Sequence, residues 1–185
     1  METKGKKIAY LGVMLALVFV LLTLETYVFI YLIKPSPAFL SIPLAIAICL
    51  RGKKSDMFVG GTILGLCSFI LSFIVGYAAF YNPLISVLPR VLIGVVVYYV
   101  NKFFTFVCKN AKSSFVREIL PLSISGAIGV LTNTILVISM LVIFDFSGLS
   151  AVFATIMSFN FTIEFISGII LVPIIVKVLR RVSRI

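Results

Sequence analysis

The sequence contains no histidine and no tryptophan, and only six of its 185 residues are acidic. Histidine is the commonest general base and metal ligand at neutral pH, so its absence argues against a hydrolase or a metalloenzyme. The three cysteines, Cys49, Cys67 and Cys108, are far apart and each lies in or beside an apolar segment. That spacing favours packing of small apolar side chains over a disulfide framework or a zinc site. The sequence therefore predicts no enzyme, no metal site and no cofactor.

Apolar residues make up 62% of the chain and fall in long runs, which is typical of a polytopic membrane protein. The predicted fold class is all-α, a bundle of six transmembrane helices in one membrane domain that covers residues 1–185. The predicted spans are residues 8–33, 38–50, 57–80, 89–107, 119–144 and 149–178. The second run is too short to cross a bilayer without distortion, and it contains Pro43. The third is rich in glycine and serine, which predicts close packing against its neighbours.

The charges indicate how these spans are oriented. The 16 basic residues give a net charge of +10, and 14 of them form four clusters at span ends, in segments 4–7, 51–54, 102–117 and 177–184. This is the positive-inside pattern, so both termini are predicted to be cytoplasmic, with the lipid bilayer and its anionic headgroups as partners. Because the clusters alternate with spans, a nucleic-acid surface is disfavoured.

Arg90 differs from the other basic residues because it opens a long apolar segment. Pro89 suits the first position of a helix, which places Arg90 in the first turn. The guanidinium and the free N–H groups of that helix end can then face one anion. An arginine at membrane depth is costly and usually functional. Two alternatives remain open: Arg90 snorkels to the headgroups, or it pairs with Glu25 or Glu164.

Other polar residues lie at membrane depth in the outer half of the predicted bundle. Together with Arg90 they form the candidate substrate-binding set: Glu25, Asn82, Arg90, Asn133, Asn160 and Glu164. One shared cavity that opens outward would satisfy all of them, and it would suit a small polar ligand with an anionic group. The alternative is a set of structural hydrogen bonds between helices.

The first span carries Ala9, Gly12 and Ala16 near its basic end. Small residues four apart allow a second helix to approach closely. That second helix is either one of this chain's own spans or part of a partner.

Several segments taken together resemble one family. They are the first-span spacing, the Asn82–Arg90 segment, the Gly126-x-x-Gly129-x-x-Thr132-Asn133-Thr134 segment and the Asn160-x-x-x-Glu164 pattern. The chain resembles the substrate-binding S components of energy-coupling factor (ECF) vitamin transporters, with Gly12 in place of the family's usual first alanine. The Pro-Arg and Thr-Asn-Thr segments look most like the pantothenate-specific branch.

The resemblance implies a vitamin site near the outer surface, covered by the first outer loop. It also implies that Ala9, Gly12 and Ala16 contact a transmembrane coupling protein, which sits on two ATPase subunits in the plasma membrane of a prokaryote. The chain itself contains no phosphate-binding loop for ATP. The alternatives are an S component for riboflavin, folate or cobalamin, and a self-sufficient small secondary transporter. The latter is disfavoured because no internal repeat is visible.

Overall fold

The structure is a computed structural model that describes residues 4–29, 37–144 and 151–182, and the regular structure within these residues is helical. Its α-helices are α1 (Lys4–Phe29), α2 (Ser41–Cys49), α3 (Asp56–Val75), α4 (Pro83–Ser86), α5 (Leu88–Val107), α6 (Leu120–Ile143) and α7 (Ala151–Val182). Short 3-10 turns cover Ala78–Phe80 and Cys108–Asn110, and a π-helical turn, Phe115–Ile119, leads into α6. An all-helical fold is therefore confirmed for the described part of the chain.

Five segments within the described residues are long and apolar enough to cross a membrane. They are Ile8–Val28, Asp56–Val75, Pro83–Asn110, Phe115–Ile143 and Phe159–Val182. The protein is thus a helical membrane protein. The nine residues of α2 extend over about 14 Å, which is roughly half of a 30 Å hydrocarbon core. The predicted count of six spans and the cytoplasmic location of both termini stay predictions.

Two predictions for the region between the third and fourth spans are wrong. The third span was predicted to reach Phe80, but α3 ends at Val75 because Gly76 adopts a left-handed conformation with φ +80° and closes the helix. The segment from Tyr81 to Leu88 was predicted to be a loop, but it contains α4. There Asn82 caps the helix and Pro83 occupies its first turn. An Asn-Pro dipeptide can also start a turn, so the dipeptide alone does not distinguish a short helix from a loop. Of the predicted outer connections, residues 30–36 and 145–150 lie outside the described residues.

The short helix α2 forms the centre of the core. All nine of its residues are buried, and Pro43 lies in its first turn, where a proline is tolerated. Fully buried valines from the surrounding helices belong to the same core cluster: Val18, Val97, Val130, Val172 and Val176. Because α2 is apolar on every side and surrounded by helices, its polar groups are confined to its two ends.

We call the end of the bundle that carries the basic clusters the inner end, and the opposite end the outer end. At the inner end, the Arg180 guanidinium donates to the Leu50 and Arg51 carbonyls at the C-terminus of α2, at 2.8 and 3.1 Å. The Arg51 side chain forms a buried salt bridge with Asp56, 3.0 Å between Nε and Oδ2, and lies 4.0 Å from the Tyr10 ring centroid. A cation at a helix C-terminus is electrostatically favourable. α2 therefore ends beside the inner parts of α1 and α7.

Candidate ligand-binding cavity

A cavity of about 110 Å³ lies between α1, α3, α5, α6 and α7 and beside the start of α2. Four residues of the predicted site line it: Arg90, Asn133, Asn160 and Glu164. Further polar groups on its wall come from Thr26, Ser68, Ser72, Tyr77 and Thr134. Apolar side chains complete the wall, among them Leu22, Ile42, Leu71, Phe80, Val137 and Phe161. A mixed lining of this kind suits a ligand that has both polar and apolar parts.

Arg90 lies in the first turn of α5, as predicted, and its guanidinium borders the cavity. One terminal nitrogen donates to the Ser86 carbonyl at the end of α4, and the guanidinium carbon lies 5.3 Å from the Phe80 ring centroid. Since an arginine has five N–H donors, most of its donors remain for a ligand. Gly61 makes this position possible, because a Cβ there would overlap the Arg90 backbone carbonyl. The close approach of α3 and α5 therefore determines the position of Arg90.

Asn133 lies in the middle of α6, is 7% exposed and lines the same cavity. Its Oδ1 is buried and has no hydrogen-bond partner among the residues that the structure describes. An unsatisfied buried amide oxygen costs roughly 1–3 kcal/mol. The sequence indicated that Asn133 needs a partner at this depth. Its position on the cavity wall leaves an acceptor that a ligand hydroxyl, amide N–H or water can satisfy.

Asn160 and Glu164 lie one turn apart on α7, and both reach the cavity from that helix. Both are buried, with 4% and 8% exposure. The Glu164 Oε1 accepts from the Ala38 N–H at 2.9 Å, just before α2 begins. In the described part of the chain its other oxygen takes part in no hydrogen bond. Glu164 thus both anchors the chain before α2 and presents a carboxylate oxygen to the site.

Two residues of the predicted set lie outside the cavity wall. The buried Glu25 carboxylate accepts from the N–H groups of Leu40 and Ser41, the latter at 3.2 Å, and from the Ser41 hydroxyl at 2.6 Å. It caps the N-terminus of α2, where an anion is favoured. Asn82 caps α4 through a 3.0 Å hydrogen bond from the Leu84 N–H to its Oδ1. Each of these two side chains is engaged in a helix cap. Substrate binding by Glu25 and Asn82 stays a prediction.

The structure also bears on the alternative that Arg90 forms a structural ion pair. Within residues 4–29, 37–144 and 151–182, no salt bridge joins Arg90 to Glu25 or to Glu164. Glu25 is turned toward α2, and Glu164 binds a backbone amide. Arg90 therefore carries a positive charge at the cavity without a directly bound carboxylate, as an anion-binding group would.

Sequence reasoning missed part of the lining. Ser68 and Ser72 were assigned to helix packing, and Tyr77 and Phe80 in the turn after α3 were assigned to the third span. The Ser72 hydroxyl does have a structural role, since it donates to the Phe69 carbonyl at 2.7 Å and lies 3.3 Å from the Phe80 carbonyl oxygen. The i, i+4 spacing of the two serines was the available signal, because it places both on one face of α3.

The cavity as it stands is small. Pockets that enclose small-molecule ligands measure about 300–1,000 Å³, compared with about 110 Å³ here. A vitamin-sized ligand therefore requires the surrounding helices or side chains to move apart. In comparisons with protein-family models, with curated proteins and with solved structures, nothing matches this chain. The fold and the cavity define a helical membrane protein with a polar internal site.

Proposed function

We propose that the protein binds a water-soluble vitamin, with pantothenate favoured, and acts as the S component of an ATP-driven ECF importer. The observation that carries this proposal is the arrangement of polar groups around the cavity described above, which lies toward the outer end of the bundle and is called the outer cavity. It combines the Arg90 guanidinium, which has spare donors, with the unpartnered Asn133 Oδ1 and the Glu164 carboxylate. Pantothenate offers a carboxylate for the first of these groups and hydroxyl and amide donors for the other two.

In this proposal the groups on the cavity wall divide the work of recognition. Arg90 binds the anionic end of the ligand through charge-assisted hydrogen bonds, which are stronger than neutral ones. Asn133 and Asn160 bind hydroxyl or amide groups, and Glu164 accepts from a ligand donor while it holds the Ala38 N–H. The apolar wall formed by Phe161 and Val137 covers the ligand's methyl-bearing part.

The exposed small face of α1 supports the second half of the proposal. Ala9, Gly12 and Ala16 are exposed, and a Cβ added to Gly12 meets nothing within 4 Å in the described structure. These residues are therefore available to a helix of another subunit, in the manner of small-residue contacts between membrane helices. The partner in the proposal is the transmembrane coupling protein, which two ATPase subunits drive.

We further propose six crossings with both termini in the cytoplasm. Glu25 and Tyr10 of α1 contact opposite ends of the segment that contains α2, and so do Glu164 and Arg180 of the last helix. The chain therefore passes from the outer to the inner level within the bundle at α2. With the five long spans, this passage makes six, and the basic clusters then lie on one side.

The test is ligand affinity of the purified protein and its Arg90 variants. Calorimetry with pantothenate should show binding, and Arg90→Ala should weaken it by about 30-fold to several thousand-fold, since loss of one partner of a buried charged contact costs about 2–5 kcal/mol. Arg90→Lys should be intermediate, because lysine keeps the charge but loses the planar fork. Arg117→Ala, an exposed arginine at the inner end, serves as the matched control and should bind normally.

Unchanged affinity in a well-folded Arg90→Ala protein would end the anion-site proposal. Binding of riboflavin, folate or cobalamin in place of pantothenate would keep the transporter class and change the ligand. Uptake into vesicles that contain this protein alone, driven by an ion gradient, would favour the self-sufficient secondary transporter instead.

A further inference from the structure

A second and larger space lies at the inner end of the bundle, away from the proposed vitamin site. It is an open groove of about 990 Å³ between the inner ends of α5 and α7 and the π-helical turn that leads into α6. The residues on which the argument depends are Asn101, Arg117, Glu118, Lys177, Arg180 and Arg181. We call this space the inner groove. It does not overlap with the outer cavity, and no part of the proposed transport function uses it.

The inner groove is strongly cationic. Four basic side chains and a single carboxylate line it. The carboxylate, Glu118, lies 3.5 Å from the Lys177 Nζ and 3.8 Å from an Arg117 terminal nitrogen, and all three side chains are about half exposed. In the described part of the chain, Arg181 is in contact with no carboxylate. The groove therefore has an excess of positive charge, and Glu118 holds two of its cations side by side.

Asn101 adds a neutral donor to this charged space. Its Nδ2 is buried and has no acceptor among the described residues, and the residue borders both the inner groove and a smaller cavity of about 210 Å³ beside it. An amide N–H that lacks an acceptor is destabilising unless a ligand or water supplies one. Phosphate oxygens are strong acceptors, and guanidinium groups bind them with two parallel hydrogen bonds. The groove thus combines charge and a hydrogen-bond donor suited to a phosphate.

The surroundings of the inner groove are apolar. Val178 is exposed and borders the groove on α7, and the exposed Phe115 lies on the π-helical turn that carries Arg117 and Glu118. Phe106 is 76% exposed, which is unusual for a large apolar side chain unless lipid or protein covers it. A ligand that occupies this place needs a negatively charged head for the groove and a hydrocarbon part for Val178 and Phe115 at its edge. A phospholipid at a membrane interface has both.

We propose that the inner groove binds the headgroup of an anionic phospholipid, with the phosphate held by Lys177, Arg181 and the Asn101 amide. The acyl chains then lie along Val178 and Phe115. Basic pockets between membrane helices on the cytoplasmic side are known to bind anionic headgroups. A free inorganic phosphate shares the charge and the acceptors, but it makes no use of the apolar flank. The proposal stands independently of which solute the outer cavity binds.

The test is lipid-dependent thermal stability of the purified protein in detergent. Phosphatidylglycerol, phosphatidylcholine and inorganic phosphate are titrated in parallel, since the two lipids share a phosphate and differ in net charge. We expect phosphatidylglycerol to raise the melting temperature with a saturable midpoint, and the other two to have little effect. Native mass spectrometry should find phosphatidylglycerol retained on the protein.

Two variants localise the effect. In the double variant Lys177→Gln/Arg181→Gln, the phosphatidylglycerol midpoint should rise at least tenfold. The control Lys109→Gln/Lys112→Gln removes two exposed charges at the same end of the bundle but outside the groove, and its midpoint should stay within twofold of the unmodified protein. If the double groove variant does not fold, Asn101→Ala removes a donor without changing charge and should raise the midpoint several-fold.

Four results would overturn the proposal. Equal shifts from phosphatidylcholine and phosphatidylglycerol would mean that headgroup charge is not recognised. An equal loss in the Lys109/Lys112 control would mean that the effect is general surface charge. A shift from inorganic phosphate that matches that from phosphatidylglycerol would make the groove a site for a free anion. An unchanged lipid midpoint in the groove variants, with loss of assembly, would make it a protein interface.

Discussion

The two helices α1 and α3 carry glycines in similar apolar sequences, but the glycines meet different surroundings. On α3, a Cβ added to Gly60 would overlap the Ala45 carbonyl of α2, and one added to Gly61 would overlap the Arg90 carbonyl of α5. On α1, a Cβ added to Gly12 meets nothing within 4 Å. The spacing of small residues therefore indicates a face that permits close approach, but it does not tell whether the fold itself fills that face.

The difference follows from how α1 is attached to the bundle. Its buried side chains Met14, Val18 and Glu25 lie on one face, and the buried Thr26 lies near the outer end of the helix, away from the small residues. At 100° per residue, Ala9, Gly12 and Ala16 lie on the opposite face. α3 instead lies between α2 and α5 and is in close contact with both. The small residues of α3 thus build the core, whereas those of α1 remain outside it.

The largest effect is expected for a single methyl group on α3. Gly60→Ala should lower stability by at least about 3 kcal/mol, at or beyond the upper end of ordinary overpacking, because the atom it meets belongs to the backbone of the central helix. The measurement is the melting temperature in detergent, together with the yield of monodisperse protein.

Gly12→Ala is the matched control for this substitution. It should be neutral or slightly stabilising, because alanine is favoured over glycine in a helix interior by roughly 0.5–1 kcal/mol. Similar melting temperatures for the two variants would contradict the contrast between the helices.

The next effect concerns the anchoring of α1 to α2. Glu25→Ala leaves the N–H groups of Leu40 and Ser41 and the Ser41 hydroxyl without their acceptor. Each unsatisfied buried group costs about 1–3 kcal/mol, so the melting temperature without ligand should fall. Leu24→Ala, at an exposed neighbouring position, should change it little.

The same variant separates the capping role of Glu25 from its predicted role in the substrate site. If Glu25 mainly binds ligand, Glu25→Ala will lose affinity while its ligand-free melting temperature stays the same. If it mainly caps α2, stability falls first, and affinity changes only as far as α2 shifts.

The smallest effect on the protein itself is expected at the exposed face of α1. Gly12→Leu should leave the melting temperature and the affinity for ligand unchanged, because the position is open. Under the proposed function, the leucine prevents close approach of the coupling protein, and co-purification with the coupling protein and its ATPases should be lost. Leu17→Phe, at an exposed position on another face of α1, is the control. Normal assembly of Gly12→Leu would remove Gly12 from the proposed interface.

Much of the helical framework was predictable, because long apolar runs bounded by charges define membrane helices with little ambiguity. The inner limits of α5 and α6 were predicted to within a residue. The complete burial of α2 was not predictable, since α3 is about as apolar and still has large exposed side chains such as Phe73 and Ile74. Burial depends on which helices surround a segment, and local periodicity carries no such information.

The candidate site was predictable in part for a similar reason. Membrane depth identified Arg90, Asn133, Asn160 and Glu164 as residues that need partners, and the fold brings these four to one cavity. Depth alone could not distinguish a ligand contact from a helix cap, so it placed Glu25 and Asn82 in the same set. The amides that they cap belong to segments whose path through the bundle is a property of the tertiary fold.

The two ends of α2 have a consequence for how the chain is made. At its outer end the Ala38 N–H is bound by Glu164, 126 residues later in the sequence, and at its inner end the Leu50 carbonyl is bound by Arg180, 130 residues later. During synthesis α2 therefore leaves the ribosome long before two of its polar partners exist. A nine-residue helix is too short to stay across a bilayer by itself. α2 therefore reaches its final position only after the last helix, α7, has been synthesised, and α7 completes the bundle.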